Sequence, residues 1–219
     1  EAYNFTSNTF TKISPSSWIG SSVSRDAADL NSDGKFELLT SVQRNGALYE
    51  SPAQGQLPSL KIWENGSADD FWSSKFADVD EDGTYEILGF GKLGLIIMKS
   101  ANGFSQFALL PYYSASNSPY ANSQSALTGD YNNNGKTEIV FTNNYPDNTG
   151  GQNSALNIYE HGTGSSYARV FSSDLPSLVM KGENLADGDF DGDGKKEFAA
   201  GFNSRSEERR VGKECRSRW

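Results

Sequence analysis

The stretch Asp189-Phe-Asp-Gly-Asp-Gly-Lys-Lys-Glu197 is the last of four segments written on one template, after Asp29–Glu37 (DLNSDGKFE), Asp78–Glu86 (DVDEDGTYE) and Asp130–Glu138 (DYNNNGKTE). Each has Asp at position 1, Asp or Asn at positions 3 and 5, Gly at 6 and Glu at 9, and their first residues are 49, 52 and 59 residues apart. One template at near-regular spacing marks a repeat architecture. The chemistry this spacing serves is capture of a hard cation. Calcium takes six to eight oxygens, and a tight loop can aim alternate side chains at one point. Positions 1, 3 and 5 then supply side-chain oxygens: Asp29, Asn31 and Asp33; Asp78, Asp80 and Asp82; Asp130, Asn132 and Asn134; Asp189, Asp191 and Asp193. Position 7 supplies a backbone carbonyl (Lys35, Thr84, Lys136, Lys195), and position 9 a carboxylate able to bind through both oxygens (Glu37, Glu86, Glu138, Glu197). Gly at 6 permits a turn with positive φ, where a Cβ is costly. A metal-free Asx-rich turn is the competing reading of any one loop; four in series favour the cation.

An EF-hand begins similarly but places its glutamate at position 12 between two helices. Position 12 here is Thr40, Gly89, Phe141 and Ala200, none of them a ligand. The segment after each loop reads as strand: Phe36–Thr40, Tyr85–Phe90, Thr137–Thr142 and Phe198–Phe202, rich in β-branched and aromatic residues. A strand precedes the loops (Ser22–Ala28, Gln124–Gly129), a third is expected at Leu60–Glu64, Leu93–Met98 and Leu156–Glu160, and a fourth at Phe104–Leu110 and Tyr167–Phe171. Turns fall at Asn65-Gly66, Asn102-Gly103 and Gly162–Gly164. Four antiparallel strands per repeat make a propeller blade. The expected class is therefore all-β, a β-propeller of four-stranded antiparallel blades, about four of them present.

The loops, the apolar strands behind them and the blade period together resemble the FG-GAP or VCBS repeats of integrin-α-type β-propellers over residues 1–204. The third loop departs from the pattern with Asn132 and Asn134 in place of acids. The Phe-Gly and Gly-Ala-Pro signatures are reduced to Gly89-Phe90 and Gly201-Phe202, which points to the broad bacterial-type class of these repeats. Such propellers commonly have seven or more blades, so the resemblance implies an open arc with exposed edges. The chain starts at Glu1 without a signal-peptide pattern, and 205–219 (RSEERRVGKECRSRW) reads as a translated sequencing adapter. The expectation is a fragment whose native part is 1–204, with a disordered tail that also carries Cys215.

Charge agrees with a cation site. The full chain has 19 Lys+Arg and 28 Asp+Glu, net −9; residues 1–204 hold 13 and 25, net −12. Thirteen of those 25 acids are the proposed ligands, so the acidic excess lies in the loops. No basic cluster before residue 205 suits nucleic acid, and no apolar run approaches the roughly 20 residues of a membrane span. Affinity follows ligand charge, which ranks the loops at 78–86 and 189–197 tightest and 130–138 weakest. Calcium at about 1 mM is an extracellular condition, so the expected location is secreted or cell-surface. Catalytic residues are not expected: His161 sits in a turn, and Asp69 and Asp70 read as a surface turn. The segments Gln43–Ser59, Leu110–Ser123 and Asn143–Asn153, with Tyr49, Tyr112, Tyr113, Tyr120 and Tyr145, are expected opposite the calcium loops as a face for an extracellular protein or glycan. The resulting expectation is a calcium-binding adhesion or binding module. The alternative, implied by resemblance, is the propeller portion of a secreted carbohydrate-active enzyme such as a polysaccharide lyase.

Overall fold

The computed structural model describes residues 2–6, 9–13, 23–42, 45–65, 74–113, 126–146, 152–175, 178–179 and 185–204. Asp69, Asp70, Tyr120 and the 205–219 tail lie outside them.

The described chain is all-β. A hairpin of β1 (Ala2–Thr6) and β2 (Thr9–Ile13) precedes three four-stranded antiparallel meanders. The first meander is β3 (Val23–Ala28), β4 (Glu37–Val42), β5 (Asn45–Glu50) and β6 (Leu60–Glu64). The second is β7 (Ser74–Ala77), β8 (Glu86–Phe90), β9 (Gly94–Lys99) and β10 (Ser105–Pro111). The third is β11 (Ala126–Gly129), β12 (Glu138–Pro146), β13 (Gln152–His161) and β14 (Tyr167–Leu175). A two-stranded pair, β16 (Leu185–Gly188) with β17 (Glu197–Ala200), flanks the last loop, and β15 (Leu178–Val179) pairs with β18 (Asn203–Ser204). The one helical element among the described residues is a 3-10 turn at Ser100–Asn102.

Leu60–Glu64 is a fourth strand, not the third. The third strand is Asn45–Glu50, inside a segment expected to be loop. Val42 pairs with Asn45, and the Asn45-Gly46 dipeptide already belongs to the strand. The remainder, Ser51–Ser59, joins the third and fourth strands and therefore lies beside the first acidic loop. The amide and hydroxyl of Ser51 both donate to Phe36 O, at 3.0 and 2.9 Å.

The second meander explains why its two central strands read as continuous apolar runs: it is covered on both faces. Residues alternate between two cores, as the period of two requires. Leu88, Phe90, Leu95 and Ile97 pack with Ala126, Ile139, Phe141 and Tyr159 of the third meander. Ile87, Ile96 and Met98 pack with Leu39 and Leu48 of the first. The outermost strand of the first meander, Leu60–Glu64, is mostly exposed and carries a Lys61–Glu64 ion pair, as suits an edge.

The first strands of neighbouring sheets lie side by side, β3 by β7 and β11 by β16. Side chains tie them together. Phe76 N donates to Asp26 Oδ2 at 2.9 Å, and Tyr131 Oη donates to Asp187 Oδ2 at 3.1 Å. All four acidic loops occupy the turn between a first and a second strand. Adjacent loops touch: Thr137 N, in the third, donates to Glu81 Oε1, in the second, at 2.6 Å.

Candidate metal centres

Each loop is shaped by the same hydrogen bonds. The position-1 aspartate accepts the amide of the position-6 glycine through Oδ2: Gly34 to Asp29, Gly83 to Asp78, Gly135 to Asp130 and Gly194 to Asp189, at 2.9–3.0 Å. The position-5 side chain accepts the position-7 amide at 2.9 Å in all four, from Lys35, Thr84, Lys136 and Lys195. The position-9 glutamate reaches back to the position-2 amide through Oε2: Leu30 to Glu37, Val79 to Glu86, Tyr131 to Glu138 and Phe190 to Glu197, at 2.7–2.9 Å. These Asx-type bonds close the loop. The position-6 glycines have φ of +82 to +86°, as the sequence leads one to expect; position 4 is also left-handed, at Ser32, Glu81, Asn133 and Gly192.

The reach-back bond engages one lone pair of Oε2 and leaves Oε1 clear of the loop backbone. In the first and second loops that oxygen, together with Asp78 Oδ1 and Asp80 Oδ1, is buried without a hydrogen-bond partner. A buried acceptor left unmade costs about 1–3 kcal/mol, more when charged. An all-oxygen set of this kind suits a hard cation such as calcium.

The four loops are not equal. Among the described residues, carboxylate oxygens converge within 4.8 Å of one another in two groups, Asp189, Asp191, Asp193 and Glu197 in the fourth loop and Asp78, Asp80 and Glu86 in the second. These are the two loops with the most acids. Asp82 is not part of the second group; Lys99 Nζ lies 2.6 Å from Asp82 Oδ2 and 3.4 Å from Glu86 Oε1, and also contacts Asp80 Oδ2. The third loop satisfies itself. Asn132 Nδ2 donates to Glu138 Oε1 at 2.8 Å, and Asn134 Nδ2 to Glu160 Oε2 at 2.6 Å. In the first loop Lys35 pairs with Asp33 at 3.0 Å and with Glu50 at 3.4 Å.

Electrostatics reflect this packing. Burial first, then the charge of Asp80, pushes Glu86 up to about 7 against the opposing Val79 amide and Lys99. Burial likewise raises Glu37 and Glu138. Asp82 is held down at about 2 by hydrogen bonds from Lys99 and Thr84. For Lys99 burial pulls downward, but the bonds to Asp80 and Asp82 and the charge of Glu86 outweigh it and raise the ammonium above the usual lysine range. Tyr167 Oη, buried without a hydrogen-bond partner, feels the same field: burial and then Asp80 and Glu86 raise it.

The sequence matches no protein-family model, and no curated protein is significantly similar to it.

Two of the tyrosines expected on a partner face are structural. Tyr145 is buried and its hydroxyl contacts Asp174; Tyr112 packs on the core and donates to Gly91 O at 3.0 Å. Tyr113 is half-buried; its amide donates to Asn157 Oδ1 at 2.8 Å, and Arg169 lies over its ring. His161 braces its own turn, with Nε2 3.0 Å from Gly164 O. Residues the loop template does not include, namely Glu50, Lys99 and Glu160, all belong to third strands and reach the loops only through strand register.

Proposed function

We propose that the chain is an extracellular calcium-binding β-propeller repeat module, its meanders serving as blades, that acts as a binding or adhesion scaffold for a protein or glycan. The observation that carries the reading is the set of buried carboxylate oxygens without hydrogen-bond partners, Asp78 Oδ1 and Asp80 Oδ1 in the second loop and Glu37 Oε1 in the first, on a hydrogen-bond frame repeated four times. Lone buried carboxylate oxygens are costly, and a divalent cation is the partner their geometry and hardness suit. The solvent-exposed fourth group adds to this, with four carboxylates gathered at one point.

In this reading calcium acts as a clasp between the first and second strands of each blade. Bound metal removes the repulsion among converging carboxylates, roughly 4 kcal/mol per close pair at an effective dielectric near 20. A partner would then meet the turns on the opposite face, between second and third strands, which a rigid scaffold presents. Equilibrium dialysis and calorimetric titration with calcium test the reading. Saturable binding at micromolar to millimolar calcium supports it; no binding at ~10 mM calcium, beyond the weakest range of extracellular modules, overturns it.

A further inference from the structure

The residue that faces the position-9 glutamate across the second and third strands is another glutamate in two sheets: Glu37 stands opposite Glu50, and Glu138 opposite Glu160. In the second sheet the register runs through Ile87–Met98, and the next position, opposite Glu86, is Lys99. The exchange is matched inside the loop. Position 7 is Lys35 in the first loop and Lys136 in the third, where it pairs with Glu50 or Glu160, but it is Thr84 in the second.

The ammonium therefore arrives from a different place and goes to a different depth. The Lys35 and Lys136 side chains stay near the rim, 32% and 51% exposed, whereas that of Lys99 is 13% exposed. Its Nζ stands among three carboxylates of one loop, Asp80, Asp82 and Glu86, and over the Phe107 ring at 4.9 Å. Asp80 and Glu86 have side chains only 8% and 0% exposed. A lysine ammonium is a compact point charge with three donors, so it can hold three acids at once. It leaves Asp78 Oδ1 and Asp80 Oδ1 without hydrogen-bond partners, so part of the oxygen set still faces a cation.

We propose that the second loop is built around an internal cation: the Lys99 ammonium holds the loop closed without metal and competes with a divalent ion for the oxygens of Asp80, Asp82 and Glu86. The inference rests on the calcium reading of the loops and ranks them. The fourth site, whose four carboxylates converge, fills first. The second fills only as the ammonium is displaced, although its acid count equals that of the fourth. Lys99 is then a tuning residue that sets the calcium concentration at which this loop responds.

The test is a calcium titration of the full chain followed through the amide resonances of Gly83 and Gly194, whose N–H groups donate into the second and fourth loops. In the wild type we expect Gly194 to shift at lower calcium than Gly83. Lys99→Met should move the Gly83 midpoint to lower calcium by about tenfold or more, as removal of a competing charge at close range implies, and leave that of Gly194 in place. An unmoved Gly83 midpoint with Gly194 still responding overturns this inference and leaves the calcium reading standing. No response at either glycine, in wild type or variant, overturns both. Amide hydrogen exchange on the wild type in chelator needs no variant: Gly83 should stay protected while Gly194 loses protection, and equal loss at both overturns the inference.

Discussion

Glu86 and Val79 are joined by a 2.9 Å bond from the Val79 amide to Glu86 Oε2, while Glu86 Oε1 is buried without a hydrogen-bond partner. One carboxylate thus fastens the loop with one oxygen and faces the Lys99 ammonium, 3.4 Å away, with the other. The same bond recurs from Phe190 to Glu197 in the fourth loop. Substitution by glutamine separates the two jobs, because its carbonyl oxygen can still accept the amide while the charge is gone. We expect Glu197→Gln to leave the chelated protein's melting temperature nearly unchanged and to remove most of the calcium-induced rise. At about 1 mM calcium a site of Kd ~10–100 μM contributes about 1.4–2.7 kcal/mol. That is several degrees in Tm for a domain of this size. Differential scanning calorimetry in EDTA and in calcium reads both effects, and an undiminished calcium rise in the variant would remove Glu197 from the ligand set.

Stability should depend on pH in opposite ways with and without metal. Glu86 titrates near 7, and Glu37 and Glu138 lie above the ordinary glutamate value, burial being the first cause in each. A carboxyl raised in the folded state binds more protons folded than unfolded, so metal-free stability falls as pH rises from about 4.3 to about 7. The groups held low, Asp82 near 2 with Asp33 and Glu160 below their usual values, act in the reverse sense only at more acidic pH. In chelator the Tm should drop between about pH 5 and 7.5; saturating calcium, which needs ionised ligands, should flatten or invert that slope. A metal-free Tm that climbs through this window would contradict the burial of these glutamates.

Local rules made the loops and the strands behind them legible. The position-6 glycines had to be left-handed, and they are. The β8 and β9 runs are buried from Glu86 through Met98 except at Lys92 and Leu93, as near-continuous apolar sequence suggests. Features that depend on register were not legible. Gln43–Ser59 reads as a loop segment, but Asn45–Glu50 within it is the third strand of the first meander. Tyr145 sits among asparagines yet is fully buried, because β12 extends to Pro146 and carries it into the interior. Lys99 is thirteen residues from Glu86, and only the pairing of β8 with β9 brings it to the site. Sequence spacing describes a loop well, but it cannot name what a neighbouring strand places over it.

The position-6 glycines offer a test of loop geometry that is independent of charge. A Cβ at Gly83 or Gly194 would meet nothing within 4 Å, yet φ is +86° and +85°. The cost of alanine there is therefore backbone strain alone, about 1–2 kcal/mol. Gly194→Ala should lower metal-free stability by that amount and also weaken calcium binding, since the Gly194 amide orients Asp189. Gly194→Asn, which tolerates the left-handed region better, should cost less. Chemical denaturation of the two variants in EDTA orders them, and equal stability of alanine and wild type would show that the loop relaxes out of this conformation.

The face-to-face stacking of the meanders predicts where truncation hurts most. Ile97 is fully buried between the second and third meanders, whereas Val170, on β14, is 49% exposed. Removing methyl groups from a packed site costs the transfer energy and the cavity left behind, about 2–5 kcal/mol for an isoleucine cut to alanine. An exposed aliphatic away from such packing is usually worth within about 0.5 kcal/mol. Ile97→Ala should therefore destabilise by several kcal/mol and Val170→Ala hardly at all. Because Leu88 and Phe90 share that core with Ile139 and Phe141, the loss should spread to both sheets. Hydrogen exchange can read it as joint deprotection of β8, β9 and β12. Deprotection confined to the second meander would mean that the sheets fold independently and that the shared core contributes little between them.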